Sequence, residues 1–149
     1  MDTNGFFFNS ILDKVDPEEV DYFSVGLDGS CKEVNDRIRG KGSYDKCVAG
    51  VQEALSKGFE VSLIYTVSRL NISDLKNMPK FLKSIGIDRF FIQVIGIRGK
   101  SAQHKEQDLQ LTKKEWSTVV ARVADRAAKM EIHVTYTKVF LDTAERFEC

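Results

Sequence analysis

Apolar residues along the 149-residue chain form four short continuous runs, separated by segments in which apolar positions recur every three or four residues. Continuous apolar runs of this length predict buried strands, and the recurring spacing predicts helices with one apolar face. The predicted strands cover residues 22–27, 59–67, 89–95 and 132–140.

Three helices are predicted to follow these strands. The first is capped by Ser43, because serine is a favoured cap residue. The second opens near Ser73 and contains Pro79, which predicts a kink or a late start. The third begins with a capping box formed by Thr112 and Glu115. A further helical piece is predicted at residues 7–15, followed by a short capped turn at residues 16–19.

The predicted order αβαβαβαβ, with short connections, is typical of an α/β fold in which helices cover a parallel sheet. A complete (β/α)8 barrel takes about 250 residues. The 149 residues therefore predict one domain, either an open sheet or a partial barrel. Ligands of such sheets bind at the carboxyl ends of the strands, so the residues that follow each strand are the candidates for a site.

Composition and charge exclude several classes of protein. Lys+Arg and Asp+Glu both number 22, which argues against nucleic-acid binding through a basic face. No apolar run approaches the roughly 18 residues of a membrane helix, and the start does not resemble a secretory signal. The cysteines Cys31, Cys47 and Cys149 include no Cys-x2-Cys pair, which argues against a disulfide scaffold or zinc ribbon. We therefore expect a cytoplasmic protein without nucleic-acid or membrane partners.

The first predicted strand ends in a candidate site. Ser24, Gly26 and Asp28 alternate and therefore lie on one face of the strand. At the ligand edge, Asp28 could accept hydrogen bonds from a ligand, and Gly26 would permit its close approach. Alternatively, Asp28-Gly29 is only a turn signal.

A polar turn is predicted after this strand, ending in Arg37 and Arg39-Gly40. The two guanidinium groups could form a clamp for a carboxylate, or they could be solvated or ion-paired in a loop. Asn71, after the second predicted strand, could either cap the next helix or contact a ligand.

Short motifs occur along the chain in an order that resembles the radical S-adenosylmethionine (SAM) enzymes, whose pattern includes strands ending in T-N-G and S-x-D-G and then H-D-x-x-R-G. The corresponding segments here are Thr3-Asn4-Gly5, Gly26-Leu27-Asp28-Gly29, residues 35–40, Thr66-Val67 with Asn71, and residues 96–102. The resemblance covers nearly the whole chain. It is closest to members that modify peptides, mature sulfatases or build cofactors.

This resemblance implies a partial (β/α)6 barrel and an enzyme that binds SAM and a 4Fe-4S cluster. Such an enzyme generates a 5′-deoxyadenosyl radical, which abstracts hydrogen from a peptide or small-molecule substrate. Two departures from the pattern are Gly26, where the family has a serine that contacts SAM, and Asn35, where it has a histidine. The positions that the resemblance places at the SAM site are Asn4, Gly26, Asp28, Arg39, Asn71 and Gln93.

The sequence contains neither the Cys-x3-Cys-x2-Cys motif of the family's cluster nor its Gly-Gly-Glu motif. The resemblance places both upstream of Thr3, so we expect the chain to be the C-terminal half of a barrel, open at its N-terminal edge. The expected partner is the upstream half or a protein covering that edge. We expect no catalysis and no cofactor on these residues alone. Cys149 resembles the first cysteine of an auxiliary-cluster extension.

A second interpretation comes from another class of protein. The chain could be a non-catalytic α/β binding or assembly module that pairs through its open sheet edge, since an unpaired edge favours association. A flavodoxin-like nucleotide binder is a third interpretation, although no glycine-rich phosphate-binding turn supports it.

Overall fold

Five parallel strands form the sheet in a computed structural model that describes residues 2–3, 11–96 and 109–137. Their spatial order is β1-β2-β3-β4-β5, the same as their order along the chain. The sheet confirms the predicted α/β class and is consistent with a partial barrel. The strands are β1 (Asp2–Thr3), β2 (Phe23–Gly26), β3 (Val61–Val67), β4 (Arg89–Val94) and β5 (His133–Tyr136).

Four α-helices and two short 3-10 helices accompany the strands in the described residues. None of these helices is long and apolar enough to cross a bilayer. The 3-10 helices are Pro17–Glu19, which confirms the predicted turn, and Leu75–Asn77. Residues 11–12 are helical but residues 13–15 are not, so the helix predicted at 7–15 ends too late; residues 7–10 lie outside the described residues. The α-helices are α1 (Lys32–Arg39), α2 (Ser43–Ser56), α3 (Met78–Ser84) and α4 (Lys113–Ala128).

Helix α1 corrects the prediction of a polar turn in this segment. Its sequence, KEVNDRIR, carries only two apolar side chains, so it shows too little hydrophobic periodicity to be recognised. Lysine, glutamate and arginine have high helix propensity, which supports the helix without an apolar face. Its one fully buried residue is the polar Asn35.

The start of α2 also differs from the prediction. Gly42, in the left-handed conformation (φ 82°), is the cap position, and Ser43 is the first helical residue. The carboxylate of Asp36 accepts hydrogen bonds from the backbone N–H of Gly42 and of Tyr44, at 2.7 and 2.9 Å. These bonds hold the pKa of Asp36 below its ordinary value. The start of α2 is thus capped by a side chain from the preceding helix, and not by Ser43.

Two other helix starts follow the sequence signals. Pro79 stands in the first turn of α3, after a 3-10 turn, so the helix starts late as predicted. The capping box of α4 is present: Glu115 N–H donates to Thr112 Oγ1 at 3.2 Å, and Thr112 N–H donates to the Glu115 carboxylate at 2.8 Å.

Successive side chains of each strand point to opposite faces of the sheet. In β2, Phe23 and Val25 are completely buried, and they belong to one core cluster with residues of α2, α3 and α4. The register aligns the residues between them with polar positions of the neighbouring strands: Ser24 lies beside Ser62, and Ser62 beside Arg89. A hollow of about 450 Å³ opens on this second face. The second face therefore corresponds to the interior of a partial barrel.

Candidate functional site

Asp28 links the carboxyl ends of β2 and β3 on the open face of the sheet. Its carboxylate side chain is only 6% exposed. One oxygen accepts from the backbone N–H of Thr66, and the other accepts from Arg39 Nε–H, both at 2.7 Å. The carboxylate thereby holds an arginine and the neighbouring strand at once. These bonds show that Asp28 does more than form a turn.

Arg39 lies directly over Gly26. A Cβ atom placed on Gly26 would be 2.6 Å from Nη2, 2.8 Å from Nη1 and 3.0 Å from Cζ of Arg39. Because both terminal nitrogens are nearer than Cζ, the end of the guanidinium group faces the glycine. The space beside Gly26, predicted to admit a ligand, is filled by Arg39. A side chain at position 26 would force the guanidinium group of Arg39 to shift.

The two arginines predicted as a clamp point to different partners. Arg37 donates from Nη2 to the carbonyl oxygen of Leu70 at 2.6 Å. Arg39 pairs with Asp28, and its side chain is 27% exposed. The structure therefore does not bring the two guanidinium groups together, because Arg37 joins the α1 helix to the loop after β3.

Asn71 is completely buried, and its side chain bonds mainly to the backbone. Nδ2 donates to the carbonyl oxygens of Asp28 and Thr66, at 3.1 and 3.0 Å. Oδ1 accepts from the N–H of Ser68 at 2.8 Å. Both polar atoms of the amide are occupied, so in this conformation Asn71 joins the ends of β2 and β3.

Gln93 lies on the open face of β4, in register with Thr66 of β3. Its Nε2 donates to the hydroxyl oxygen of Thr66 at 3.0 Å. Asp28, Thr66 and Gln93 are therefore connected across three neighbouring strand ends. The half-buried Gln93 retains its carbonyl oxygen without a hydrogen bond from the described residues.

Asn35 connects the end of β2 to the start of α2. Its Oδ1 accepts from the backbone N–H of Asp28, and its Nδ2 donates to Ser43 Oγ, both at 2.9 Å. A Cβ on Gly29 would lie 2.5 Å from the backbone nitrogen of Asn35. Gly29 is thus needed for the close packing of this loop against α1, and it does not adopt a positive φ.

Asp74 also holds together the loops beside the candidate site, a role that was not predicted from the sequence. Its carboxylate accepts from both the N–H and the hydroxyl of Ser30, each at 2.6 Å. Asp74 is 7% exposed. Together with Asn71 and Arg37, it ties the loop after β3 to the segment that follows β2. A carboxylate near a predicted helix start is interpreted as a helix cap, so no local signal indicated its bond to the distant Ser30.

Two predicted site residues, Asn4 and Cys149, lie outside the described residues. Of the other cysteines, Cys31 is half-buried and Cys47 is buried. Burial raises the pKa of the Cys47 thiol to about 11, so this residue is a core thiol. Within residues 2–3, 11–96 and 109–137, no cluster of acidic, histidine or cysteine residues could hold a metal ion.

The arrangement suits the binding of an anion. Among the described residues, Arg39 makes its hydrogen bond through Nε, and none is made by its two terminal nitrogens. Arginine presents donors that match the geometry of a carboxylate or phosphate. The buried Asp28 fixes the guanidinium on the open face of the sheet. A partly exposed, oriented cation therefore lies at the strand ends, where ligands of parallel sheets bind.

A model of the Radical SAM superfamily matches residues 1–82. Pre-heme d1 synthase from Dinoroseobacter shibae is 29% identical over 131 residues, which cover 85% of this chain and 32% of that protein. The chain thus spans about a third of the length of this curated relative.

Solved structures show the same fold. A domain of pyruvate-formate lyase-activating enzyme from Bacteroides vulgatus superposes with a TM-score of 0.64 at 12% identity, covering 91% of this chain and 78% of that one. SuiB from Streptococcus suis, bound to SAM, gives a TM-score of 0.59 at 11% identity, covering 78% and 26%. SuiB bound to its precursor peptide SuiA gives 0.60 at 12% identity, covering 77% and 25%.

Proposed function

Because this chain belongs to the radical SAM superfamily, we propose that it forms the C-terminal half of a radical SAM barrel and provides one wall of the SAM site. Members of the family use SAM and a 4Fe-4S cluster. The observation that carries the proposal is the Arg39 guanidinium, held by the buried carboxylate of Asp28 at the strand ends.

The residues at this edge have the chemistry that SAM requires. SAM carries a carboxylate, and the terminal nitrogens of Arg39 make no hydrogen bond within the described part of the chain. The carbonyl oxygen of Gln93 could accept from the ammonium or a hydroxyl of the same ligand. Gly26 leaves room for the guanidinium group of Arg39, and Asp28 accepts a hydrogen bond from its Nε–H.

Asn71 has a different part in the proposed site. It was expected at the ligand, and its amide atoms bond to Asp28, Thr66 and Ser68. We propose that it supports the site by holding Asp28 in place. Asn4 remains a proposed contact, because its neighbour Thr3 pairs with Val25 at the edge of the sheet.

The cysteine motif that binds the cluster is not among these 149 residues. We propose that strands carrying it complete the barrel next to β1, as the upstream half or as a partner that covers this edge. The share of the relative that the chain spans, about a third, supports this division. When present, SAM and its cluster supply hydrogen-abstraction chemistry, while this chain binds and orients.

The substrate is proposed to be a peptide or a small molecule. SuiB, which shares the fold, has been seen with its precursor peptide SuiA, and pre-heme d1 synthase is a relative in sequence. We also propose that the protein works in the cytoplasm, where thiols such as Cys31 and Cys47 stay reduced.

A titration with SAM, followed by NMR, tests the proposed site. Without the cluster, the chain should bind SAM only weakly and should not retain it. At millimolar concentrations, however, SAM should shift the NMR resonances of the residues that it contacts. We expect shifts at the Arg39 Nε–H and at the backbone amides of residues 26–29. The outer surface of α4, including Arg122, is the internal control and should not respond. Shifts confined to other surfaces, or none, would reject the site.

Anaerobic reconstitution with iron and sulfide tests the division of the barrel. A 4Fe-4S cluster in this family needs three cysteine thiolates held together, and the described residues offer no such group. We expect no cluster able to cleave SAM on this chain alone. Formation of 5′-deoxyadenosine by the reconstituted 149-residue chain would show that the division is wrong.

A further inference from the structure

We infer that Gly26 and Arg39 act as one anion-binding unit, in which the glycine is the seat that sets the position of the guanidinium group. The ligand class is a carboxylate. The identity of that ligand rests on the proposed function, whereas the seat itself does not. Gly26 is thus a positioning residue that acts through Arg39.

The first step is steric. Even one carbon added to Gly26 would lie 2.6–3.0 Å from three atoms of the guanidinium group. Contacts this short force something to move, and the end of an arginine side chain moves more easily than a strand. A side chain at position 26 would therefore displace Arg39 while β2 keeps its place in the sheet.

The second step concerns the ion pair. Arg39 reaches Asp28 through Nε alone, at 2.7 Å, and this bond fixes which edge of the guanidinium faces the carboxylate. With Nε on Asp28, the terminal nitrogens come to rest against Gly26. Displacing them would lengthen or break the bond to Asp28. The glycine and the carboxylate therefore constrain the arginine together.

The third step concerns the ligand. An arginine guanidinium group is a cationic donor with no acceptor capacity. At Gly26, it has two terminal donor nitrogens that make no hydrogen bond with the described residues. A serine at position 26 would put a neutral hydroxyl there and drive the charge away. The seat therefore favours an anionic group, for which bidentate pairing is strongest.

Two substitutions test the seat against the simple view that a polar contact is missing at position 26. Gly26→Ala adds only a carbon, and Gly26→Ser adds a hydroxyl. If the seat is right, both should expose Arg39 Nε–H and raise its rate of exchange with water at least tenfold. Gly96→Ala, where the added carbon meets no atom of the described residues within 4 Å, should leave the exchange rate unchanged.

The ligand response separates the two parts of the inference. In the SAM titration, both Gly26 variants should lose more than half of the shift at Arg39. If Gly26→Ser keeps the wild-type exchange rate at Arg39 Nε–H and shows a larger shift with SAM, Gly26 does not set the position of Arg39. If the wild-type chain shows no SAM response, the proposed function fails, while the exchange rates still decide whether the seat exists.

A double substitution keeps the test decisive if either single variant fails to fold. Arg39→Ala removes the atoms that collide, so Arg39→Ala/Gly26→Ser should unfold at the same urea concentration as Arg39→Ala. If Gly26→Ser does not fold and the added Arg39→Ala substitution restores folding, the result supports the proposal that Gly26 sets the position of Arg39. A Gly26→Ser effect of equal size in both backgrounds would overturn it, because the collision would then involve other atoms.

Discussion

The side-chain amide of Asn71 donates to the carbonyl oxygen of Asp28, 43 residues earlier in the chain, at 3.1 Å. The same nitrogen donates to the carbonyl oxygen of Thr66. Asp28 in turn accepts from the N–H of Thr66 through its carboxylate. Side chains therefore close the ends of β2 and β3, where the strands separate and their backbone pairing stops.

We expect Asn71→Ala to destabilise the protein by about 2–4 kcal/mol, because it leaves several buried backbone groups without partners. Asn77→Ala is the matched control: the side chain of the exposed Asn77 donates to Asp74 at 3.0 Å and makes no other hydrogen bond with the described residues. It should cost less than about 1 kcal/mol. Urea unfolding measures both, and equal small losses would contradict the structural role of Asn71.

Gly29→Ala should destabilise the protein by at least about 2 kcal/mol. The added carbon would lie 2.5 Å from the backbone nitrogen of Asn35 and 2.8 Å from Cβ of Val34, and overpacking against backbone is not easily relieved. Gly96→Ala, whose added carbon has no neighbour within 4 Å in residues 2–3, 11–96 and 109–137, should change stability by less than about 0.5 kcal/mol. Similar unfolding midpoints for the two variants would show that the loop has more room than described.

Replacing Asp36 with asparagine should lower the free energy of unfolding by an amount that depends on pH. Hydrogen bonds from the N–H groups of Tyr44 and Gly42 lower the pKa of Asp36 in the folded state. Its contribution is therefore fully present above the unfolded-state pKa of about 3.9. The contribution is lost as the pH falls through the lower folded-state value.

The free energies of unfolding of the wild type and Asp36→Asn should thus differ at pH 7 and converge in acid below about pH 4. Urea titrations across this range measure the difference. A difference that stays constant with pH would mean that the charge of Asp36 does not stabilise α2.

Cys47 should resist thiol reagents in the folded protein. Burial raises its pKa to about 11, so at pH 8 its thiolate fraction is about a hundredfold or more below that of an unfolded cysteine. In a Cys149→Ser chain, a reagent should modify the half-buried Cys31 first and Cys47 only in urea. Equal rates for the two thiols in the folded protein would contradict the buried position of Cys47.

The sequence predicted the strands well because their apolar residues are continuous, as in β3 between Val61 and Val67. It predicted the start of α4 because Thr112 and Glu115 form a local capping signal. It failed at α1, whose buried residue is Asn35 and whose other positions are mostly charged. A helix stabilised by polar contacts with the rest of the fold leaves no hydrophobic period to detect.

The sequence indicated which residues lie at the strand ends, but not how they contact one another. Alternation along the first strand predicted that Gly26 and Asp28 share one face, and in the structure Arg39 contacts both residues. The contact between Gly26 and Arg39 depends on the path of α1, which the sequence did not reveal. The bond between Asp74 and Ser30 joins residues 44 positions apart, and local spacing carries no information about such pairs.

The most direct test of the proposed SAM site compares SAM with decarboxylated SAM, which lacks only the carboxylate. The measurement is the shift of the Arg39 Nε–H resonance during titration of the chain with each compound. If Arg39 binds the carboxylate, SAM will shift this resonance and decarboxylated SAM will shift it much less. Equal shifts with both compounds, or none with either, would contradict the account.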